Sequence, residues 1–437
     1  MSRKKSTEDS PMNYIRSELN LFDKEGYDMS ITSTQVNDLF PIAPLSEEMA
    51  PLTFNIVSSM DHYIDLSRTR LYLRMSVTKG DGSPMAATDI CPPVNNICHS
   101  AFSQCAVYLN NTQISPTSQL YAYRAYLERL LCTSKEFNKT QAALSGYYKE
   151  TDPTENDQTK DDSYKKRFDM STTSGQFEVL GRLHSDIFCA GSFLPPGVDL
   201  KIALTRAPSA FCLHSKAAGA FKLNIHEAKL QVTRHKIQPQ VSLEHIRKWE
   251  HGKPATIEMN RVDIKSYGLA TGTVTSVNEN LISGMLPSRI VVALVKSTNV
   301  IGTITTNPFL FGGYNLTKIG MYVNSDTNES RELDVNIKMP AGRIKEAVHN
   351  IYRSLGIDNQ DCAIDFTEQD FVNNRALFVY DIDPAGPGTS PPRYGNIKIE
   401  LKFSAATSDP LTVLVYTETP SILNIDQEKN AYFSDTA

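Results

Sequence analysis

The sequence predicts an all-β protein that contains two tandem copies of one antiparallel sandwich domain. Two observations support this prediction: several short runs alternate apolar and polar residues, and one strand motif occurs twice in the same surroundings. The chain of 437 residues is also longer than one compact core usually serves. Two domains of roughly 200 residues each are therefore expected.

The first region of the chain, residues 1–44, is polar and shows no sustained period, so we expect an extended arm. Its basic cluster of Arg3, Lys4 and Lys5 is interpreted as a solvated terminus. No apolar stretch follows that cluster, and a signal peptide is not expected.

Short strands are expected after this arm. Apolar and polar residues alternate in runs over 52–56, 71–78, 198–204 and 397–403, and turn residues separate many of the runs. Because successive strand side chains point to opposite faces, each run should be half-buried in a sheet. Many short half-buried strands with turns between them indicate a sandwich or a barrel.

Two isolated helices are predicted among the strands. Apolar residues recur every three or four positions over 120–131 and again over 343–355. Pro340 and Gly342 precede the second helix, and Gly356 follows it as a C-terminal cap. Each helix is expected to cover a sheet edge or to join two strands.

A charged segment at 149–169 is predicted to be a long exposed loop. It contains five basic and seven acidic residues, and its only large apolar side chains are Tyr164 and Phe168. Such a composition cannot form a core by itself. We expect it to lie at the surface and to tolerate deletion.

The repeated motif covers 102–111 and 316–325, where Tyr108 matches Tyr322 and Asn110 matches Asn324. In both copies a strand precedes the motif and the single helix follows it, which favours a duplicated domain joined near 236–254. The strand before the second copy is apolar on both faces over 290–295. We therefore expect it to pack against the sister domain or another subunit.

No motif for catalysis or for cofactor binding is present in the sequence. The span with Cys91, Cys98, His99 and Cys105 fits no zinc module, so no metal site is predicted. The motif Pro391-Pro392-Arg393-Tyr394 could bind a WW domain, but a Pro-rich loop is the favoured interpretation.

Charge and cysteine content exclude two further classes. The net charge of -5 argues against a protein that coats nucleic acid. The seven cysteines are an odd number in a long chain, which indicates free thiols and not a disulfide framework.

The chain resembles the major capsid proteins of Polinton (Maverick) elements and adintoviruses. The similar stretches follow one another in order and span most of the chain; they are 63–73, 93–96, 102–104, 121–128, 286–289, 307–309, 395–403 and 415–416. The resemblance implies a double jelly roll, which is two tandem eight-stranded antiparallel sandwiches with a short helix in each. The implied units are an arm at 1–44, jelly rolls at 45–240 and 241–425, and a tail at 426–437.

The resemblance also implies a structural function. Three chains would form a pseudo-hexagonal capsomer of an icosahedral shell around a double-stranded DNA genome. The implied partners are other copies of the chain, a penton protein and minor capsid proteins, without sequence-specific nucleic-acid binding. The resemblance implies no catalytic residues, no metal site and no cofactor for this chain. The protein would be located in the virion, after synthesis and assembly inside the host cell without secretion.

The two ends, 1–45 and 424–437, are expected to be arms between capsomers, with Tyr432 and Phe433 as the anchor of the second. The alternative to a capsid protein is a cellular tandem β-sandwich module that binds carbohydrate or protein. Such a module should have an aromatic-lined pocket with convergent polar groups. An enzyme is the third possibility, and the missing motifs disfavour it.

Overall fold

A computed structural model describes residues 30–45, 50–86, 89–172, 175–324, 330–337, 342–361, 364–382 and 392–434. The basic cluster at 3–5 and the rest of 1–29 lie outside the described residues. So do Pro340, and Pro391 of the P-P-x-Y motif with the loop before it.

Eight strands belong to the first half of the described chain. They are β1 (Ile31–Leu39), β2 (Leu52–Ile56), β3 (His62–Lys79), β4 (Phe102–Leu109), β5 (Thr112–Gln113), β6 (Phe177–Gly181), β7 (Leu200–Arg206) and β8 (Phe221–Ile237).

Nine strands belong to the second half of the described chain. They are β9 (Ala255–Leu269), β10 (Thr275–Met285), β11 (Arg289–Lys296), β12 (Leu316–Val323), β13 (Arg331–Asp334), β14 (Leu377–Asp381), β15 (Tyr394–Phe403), β16 (Leu411–Ile425) and β17 (Ala431–Ser434).

The strands form four antiparallel sheets with a repeated topology. The sheets of the first half have the orders β1-β8-β3-β6 and β2-β7-β4-β5. Those of the second half have the orders β14-β11-β16-β9 and β10-β15-β12-β13, and β17 adds to the first of them. Counted from the first strand of each half, both pairs of sheets follow the order 1-8-3-6 and 2-7-4-5. The fold is therefore a double jelly roll, which confirms the predicted class.

The repeated motif occupies the same place in both halves. It forms β4 in the first half and β12 in the second, and each strand lies between two neighbours in its sheet. The asparagines that end the motif, Asn110 and Asn324, have positive φ angles of 42° and 52°. Asparagine tolerates this left-handed conformation better than most residues, which explains why it ends both copies.

Ten α-helices and one 3-10 helix connect the described strands. The helices are α1 (Ile97–Ser100), α2 (Tyr121–Cys132), α3 (Lys135–Lys139), α4 (Asp162–Thr172), α5 (Asp186–Cys189), α6 (Ser209–Cys212), α7 (Pro239–Glu250), α8 (Ser297–Ile301), α9 (Lys345–Ser354) and α10 (Glu368–Val372); a 3-10 helix spans Gln141–Ser145.

The two predicted helices are α2 and α9, and their existence is confirmed. Gly356 follows α9 with a φ of 68° and donates its N–H to the carbonyl of Arg353, as expected of a C-terminal cap. The connection between the two halves is α7. The other helices are four to twelve residues long, and most are too short to produce a periodic apolar pattern.

The strand β11 is buried on both faces, as predicted: every residue over 290–295 is 0% exposed. It lies inside its sheet between β14 and β16. The buried apolar side chains of both halves form one continuous cluster. The packing of β11 itself against the sister domain or another subunit stays a prediction.

The expectation that both ends lie outside the sandwiches is wrong for their described parts. β1 pairs with β8 from Ile31 to Leu39, so it is the first strand of the first jelly roll. β1 is an edge strand whose side chains are exposed on both faces. Its sequence therefore has no alternation of apolar and polar residues from which a strand could be predicted. β17 pairs with β16, and Phe433 packs within the same chain under Arg261, 4.7 Å from the guanidinium to the ring centre.

The expectation of a solvated loop at 149–169 holds for 151–160, which is a loop of mostly exposed or half-buried residues, but it is wrong for the two ends of the segment. Helix α4 covers its second part, and the side chains of Tyr164 and Arg167 are 0% and 1% exposed. Glu150 at its beginning is 1% exposed. Three charged side chains of this segment, Glu150, Asp161 and Arg167, are therefore buried, while most of its other charged residues remain exposed.

Candidate functional site

The junction of the two jelly rolls is the most elaborate polar region of the described structure. Its centre is aromatic: Tyr126 of α2 stacks on Phe309 of the second half, with ring centres 4.2 Å apart and planes 7° from parallel. Tyr123, one turn earlier, donates its hydroxyl to the carbonyl of Pro308 at 3.1 Å. Stacked aromatic pairs contribute about 0.5–1.5 kcal/mol beyond the burial of their area. The helix predicted from sequence thus joins the domains.

A buried charged cluster lies beside these rings. The carboxylate of Glu150 accepts a hydrogen bond from Arg167 at 2.8 Å and another from the amide of Asn307 at 3.2 Å. Arg375 of the second half donates to the Glu150 carbonyl at 2.8 Å and to the carboxylate of Asp370 at 2.7 Å. Glu150, Arg167 and Arg375 are each 1% exposed, so the charges are compensated inside the protein. We call this group, with Asp370, the junction cluster.

Opposing effects act on the Glu150 carboxyl. Burial raises its pKa above the ordinary value, and the positive charges of Arg167 and Arg375 act in the opposite direction. Lys149 extends the cluster towards solvent, because its ammonium contacts Asp365 at 2.6 Å and Asp370 at 3.0 Å. The first half thereby holds α10 of the second half through charge-assisted hydrogen bonds, which are stronger than neutral ones.

A second cluster joins α2, α5 and β9. Arg124 contacts Glu128 at 2.8 Å and Asp186 at 2.5 Å. Asp186 in turn accepts the backbone N–H of Val262 at 3.1 Å, which crosses the domain boundary. Burial alone would raise the pKa of Glu128, but Arg124 and His184 lower it to about 2. The carboxylate therefore stays ionised and keeps its partners at all moderate pH values.

The cysteine and histidine span considered for metal binding is placed in the core of the first half. Cys91, Cys98, His99 and Cys105 are all at most 6% exposed. Burial raises the pKa of the Cys98 and Cys105 thiols to about 12, which disfavours the thiolate that a metal requires. Within the described ranges, no group of three or more His, Cys, Asp or Glu side chains is arranged for a metal ion.

Two other features of the sequence can be located. Tyr394 of the P-P-x-Y motif is 58% exposed and begins β15. Of the helices in the described part, none has both the length and the apolar character needed to cross a membrane.

Sequence reasoning missed the junction cluster, because its members are far apart in the chain. Arg375 and Glu150 are separated by 225 positions. A segment rich in both charge signs has the composition of a solvated surface, and only its distant partners make burial possible. The sequence feature that could have indicated burial was Tyr164, a large aromatic residue in a mostly charged segment.

Buried neutral histidines predict a loss of stability in mild acid. His214 is 2% exposed, and burial lowers its pKa from 6.5 to about 3. Between these values the unfolded chain binds a proton that the folded chain does not bind, so stability falls as pH decreases from 6.5. At pH 5 the loss from this one group is about 2 kcal/mol.

The measurement is urea unfolding at several pH values. The variant His214→Asn should show a shallower decrease of the unfolding free energy between pH 6.5 and 5 than the unchanged chain. The control variant is His251→Asn, because His251 is exposed and lies in the turn after α7. The pH dependence of its unfolding free energy should match that of the unchanged chain. Identical slopes in all three proteins would contradict the assignment.

Comparisons with known proteins agree with this architecture. No family model matches the chain. An uncharacterized protein of Caenorhabditis elegans is 22% identical over 398 residues, which cover 87% of this chain and 92% of that protein.

Solved structures give a broader likeness. A chain in the structure of the Sputnik virophage has a TM-score of 0.59 at 10% identity, covering 96% of this chain and 92% of that one. The Faustovirus major capsid protein has a TM-score of 0.56 at 10% identity, with 93% of each chain covered. The mavirus major capsid protein has a TM-score of 0.52 at 11% identity, covering 99% of this chain and 96% of that one. At these identities the likeness shows the fold, a double jelly roll.

Proposed function

We propose that this chain is a major capsid protein, a structural subunit and not an enzyme. The observation that supports this most is the repeated strand order: both halves arrange their strands as 1-8-3-6 and 2-7-4-5. The fold is shared along nearly the whole length with proteins described as major capsid proteins of Faustovirus and mavirus.

The duplicated domain and the rigid connection between its two copies explain how such a chain could pack into a closed shell. Three chains around an axis would place six similar jelly rolls in a ring, a pseudo-hexagonal unit suited to close packing. The two jelly rolls of one chain must then keep a fixed orientation. The aromatic contacts of α2 and the junction cluster supply that fixed connection, since both cross from one half to the other.

The finer features of the proposal follow from the sequence resemblance. We infer a homotrimer that assembles an icosahedral shell around double-stranded DNA, in the lineage of Polinton (Maverick) elements and adintoviruses. A penton protein and minor capsid proteins are the further partners, and the virion, assembled inside the host cell, is the location. We place the domain boundary within α7, near residues 240 and 241, with β1 in the first jelly roll and β17 in the second.

The first edge strand offers a surface for contact between subunits. Val36 on β1 is 64% exposed, and Phe40 and Ile42 just after it are 63% and 65% exposed. We call these three residues the edge patch. An exposed edge strand with apolar neighbours pairs or packs with another chain unless something covers it. The edge patch is therefore our candidate for part of the trimer contact.

Size-exclusion chromatography with light scattering tests the assembly. The unchanged chain of 48.7 kDa should elute as a trimer or as a shell-sized particle, and negative-stain images should show hexagonal capsomers or closed shells. A monomer at high concentration in mild salt would refute the proposal. It would favour a tandem β-sandwich module that binds carbohydrate or protein.

The variant Val36→Glu/Phe40→Glu is expected to be a folded monomer. Two carboxylates in an apolar contact lose their hydration without gaining partners, and a stable contact of more than roughly 1,000 Å² tolerates this poorly. The control variant Ile301→Glu changes a residue that is 76% exposed and lies outside the edge patch. It should remain trimeric. Trimers in the double variant would exclude the edge patch from the contact.

A further inference from the structure

We propose that a cleft between the two jelly rolls binds a small multivalent oxyanion of the phosphate class. The cleft has a volume of about 670 Å³. One wall belongs to the first half, mainly α2 and the stretch 180–189, and the other to β9 and β16. Sites for small molecules commonly have volumes of about 300–1,000 Å³, so the cleft is large enough for a polyphosphate.

Four arginines line the cleft: Arg70, Arg124, Arg129 and Arg182. Arg124 is neutralised, because it contacts both Glu128 and Asp186. In the described part of the chain, none of the ion pairs at this cleft includes Arg70, Arg129 or Arg182. Three guanidinium groups therefore line one cavity without a salt bridge to any described carboxylate, and Asp65 and Glu128 act on Arg70 and Arg129 only over a longer distance.

The three carboxylates of the cleft already have partners. Glu128 binds Arg124 and His184. Asp186 binds Arg124 and the N–H of Val262, while Glu418 binds Arg289 at 3.1 Å and the hydroxyl of Tyr416 at 2.7 Å. These three acids have local partners, and none of them forms a salt bridge with Arg70, Arg129 or Arg182, although the charge of Glu128 also acts on Arg129.

Arg129 is the strongest sign of a missing partner. It is only 7% exposed, and its buried Nε has no hydrogen-bond acceptor. Its Nη2 makes one long contact of 3.4 Å with the hydroxyl of Ser145, and its charge otherwise lies over the rings of Phe137 and Tyr147. A buried cation with unused donors is costly. An anion in the cleft would supply the acceptors.

The other two arginines favour an anion with several charges. Arg70 donates from Nη1 to the carbonyls of Ser67 and Thr69, which orients its guanidinium. Burial lowers the pKa of Arg70, and the positive charge of Arg182 lowers it further, while the carboxylate of Asp65 acts in the opposite direction. The like charges of Arg70 and Arg182 therefore interact. Guanidinium groups match phosphate oxygens in pairs. Three converging cations suit a multivalent phosphate better than a single carboxylate.

The cleft is open to solvent at its rim. Leu144 is 57% exposed, and the thiols of Cys132 and Cys189 belong to exposed residues that line the same cleft. A dissolved anion can therefore enter without unfolding of either half. The two thiols also provide a chemical readout of occupancy.

Isothermal titration with sodium tripolyphosphate, at constant ionic strength set with sodium chloride, tests the proposal. The unchanged chain should bind about one equivalent, and the variant Arg70→Gln/Arg182→Gln should bind at least about tenfold more weakly, since charged hydrogen bonds are lost. The control variant Arg247→Gln removes an exposed arginine of α7 and should bind normally. Equal binding by the double variant, or no binding by the unchanged chain, overturns the proposal.

A second measurement needs no variant. Alkylation of Cys132 and Cys189 with a maleimide, followed by mass spectrometry of each site, should become slower when tripolyphosphate is added. Sodium chloride added to the same ionic strength should leave the alkylation rates unchanged. Unchanged alkylation rates at both cysteines in the presence of saturating tripolyphosphate would place the bound anion elsewhere and overturn the assignment.

Discussion

Replacement of Arg375 by methionine is expected to lower the free energy of unfolding by about 3–5 kcal/mol. Methionine keeps much of the volume but removes the charge that neutralises Glu150 and Asp370. The carbonyl of Glu150 also loses its hydrogen bond of 2.8 Å. The buried carboxylate of Glu150 then keeps only the guanidinium of Arg167 and the amide of Asn307 as partners.

Urea unfolding followed by circular dichroism measures this effect. The matched control is Arg343→Met, because Arg343 forms a surface ion pair with Asp334 in which both side chains are mostly exposed, 75% and 64%. Exposed pairs contribute about 0–1 kcal/mol, so the control should be nearly neutral. A small effect of Arg375→Met, similar to that of the control, would show that the junction cluster does not hold the fold.

A double variant separates lost charge from lost packing. In Glu150→Gln/Arg375→Met both charges are removed, and the uncompensated carboxylate no longer exists. The double variant should be more stable than the sum of the two single changes by about 0.5–3 kcal/mol, the range for groups that share a network. Strict additivity would mean that the two residues act independently.

Deletion of residues 151–168 is expected to abolish folding. The deletion removes Arg167, the partner of Glu150, and Tyr164, whose hydroxyl donates to the carbonyl of His214 at 3.0 Å. Loss of one buried large aromatic side chain typically costs about 3–5 kcal/mol. The buried Glu150 would add its desolvation penalty. The sum is comparable with the total stability of an ordinary domain, about 5–15 kcal/mol.

The measurement is the yield of soluble protein and its mass by light scattering. The control variant Lys165→Ser/Lys166→Ser changes two exposed residues on the outer face of α4 and should leave yield and mass unchanged. Soluble, correctly sized assemblies from the deletion variant would contradict the packed arrangement. They would restore the interpretation of 149–169 as a dispensable loop.

Much of the fold was determined by local patterns in the sequence. Alternation predicted the strands at 71–78 and 397–403, which are parts of β3 and β15. A half-buried strand shows its period directly, because one face meets water and the other the core. The helical period predicted α2 and α9 for the same reason. The repeat at Asn110 and Asn324 revealed the duplication, since in both copies the chain leaves the strand through an asparagine with a positive φ angle.

Other features were decided only by the tertiary structure. β1 has side chains exposed on both faces, so its membership of a sheet depends on backbone pairing with β8 and leaves no apolar period. The ionic composition of 149–169 indicates solvent exposure when read locally. The burial of Glu150 depends on Arg375, which the fold brings to it from 225 positions away. The cleft around Arg129 was likewise not predictable from the sequence, because residues from both halves of the chain line it. A local pattern records the environment along one strand or helix, whereas charge compensation depends on which distant groups the completed fold places together.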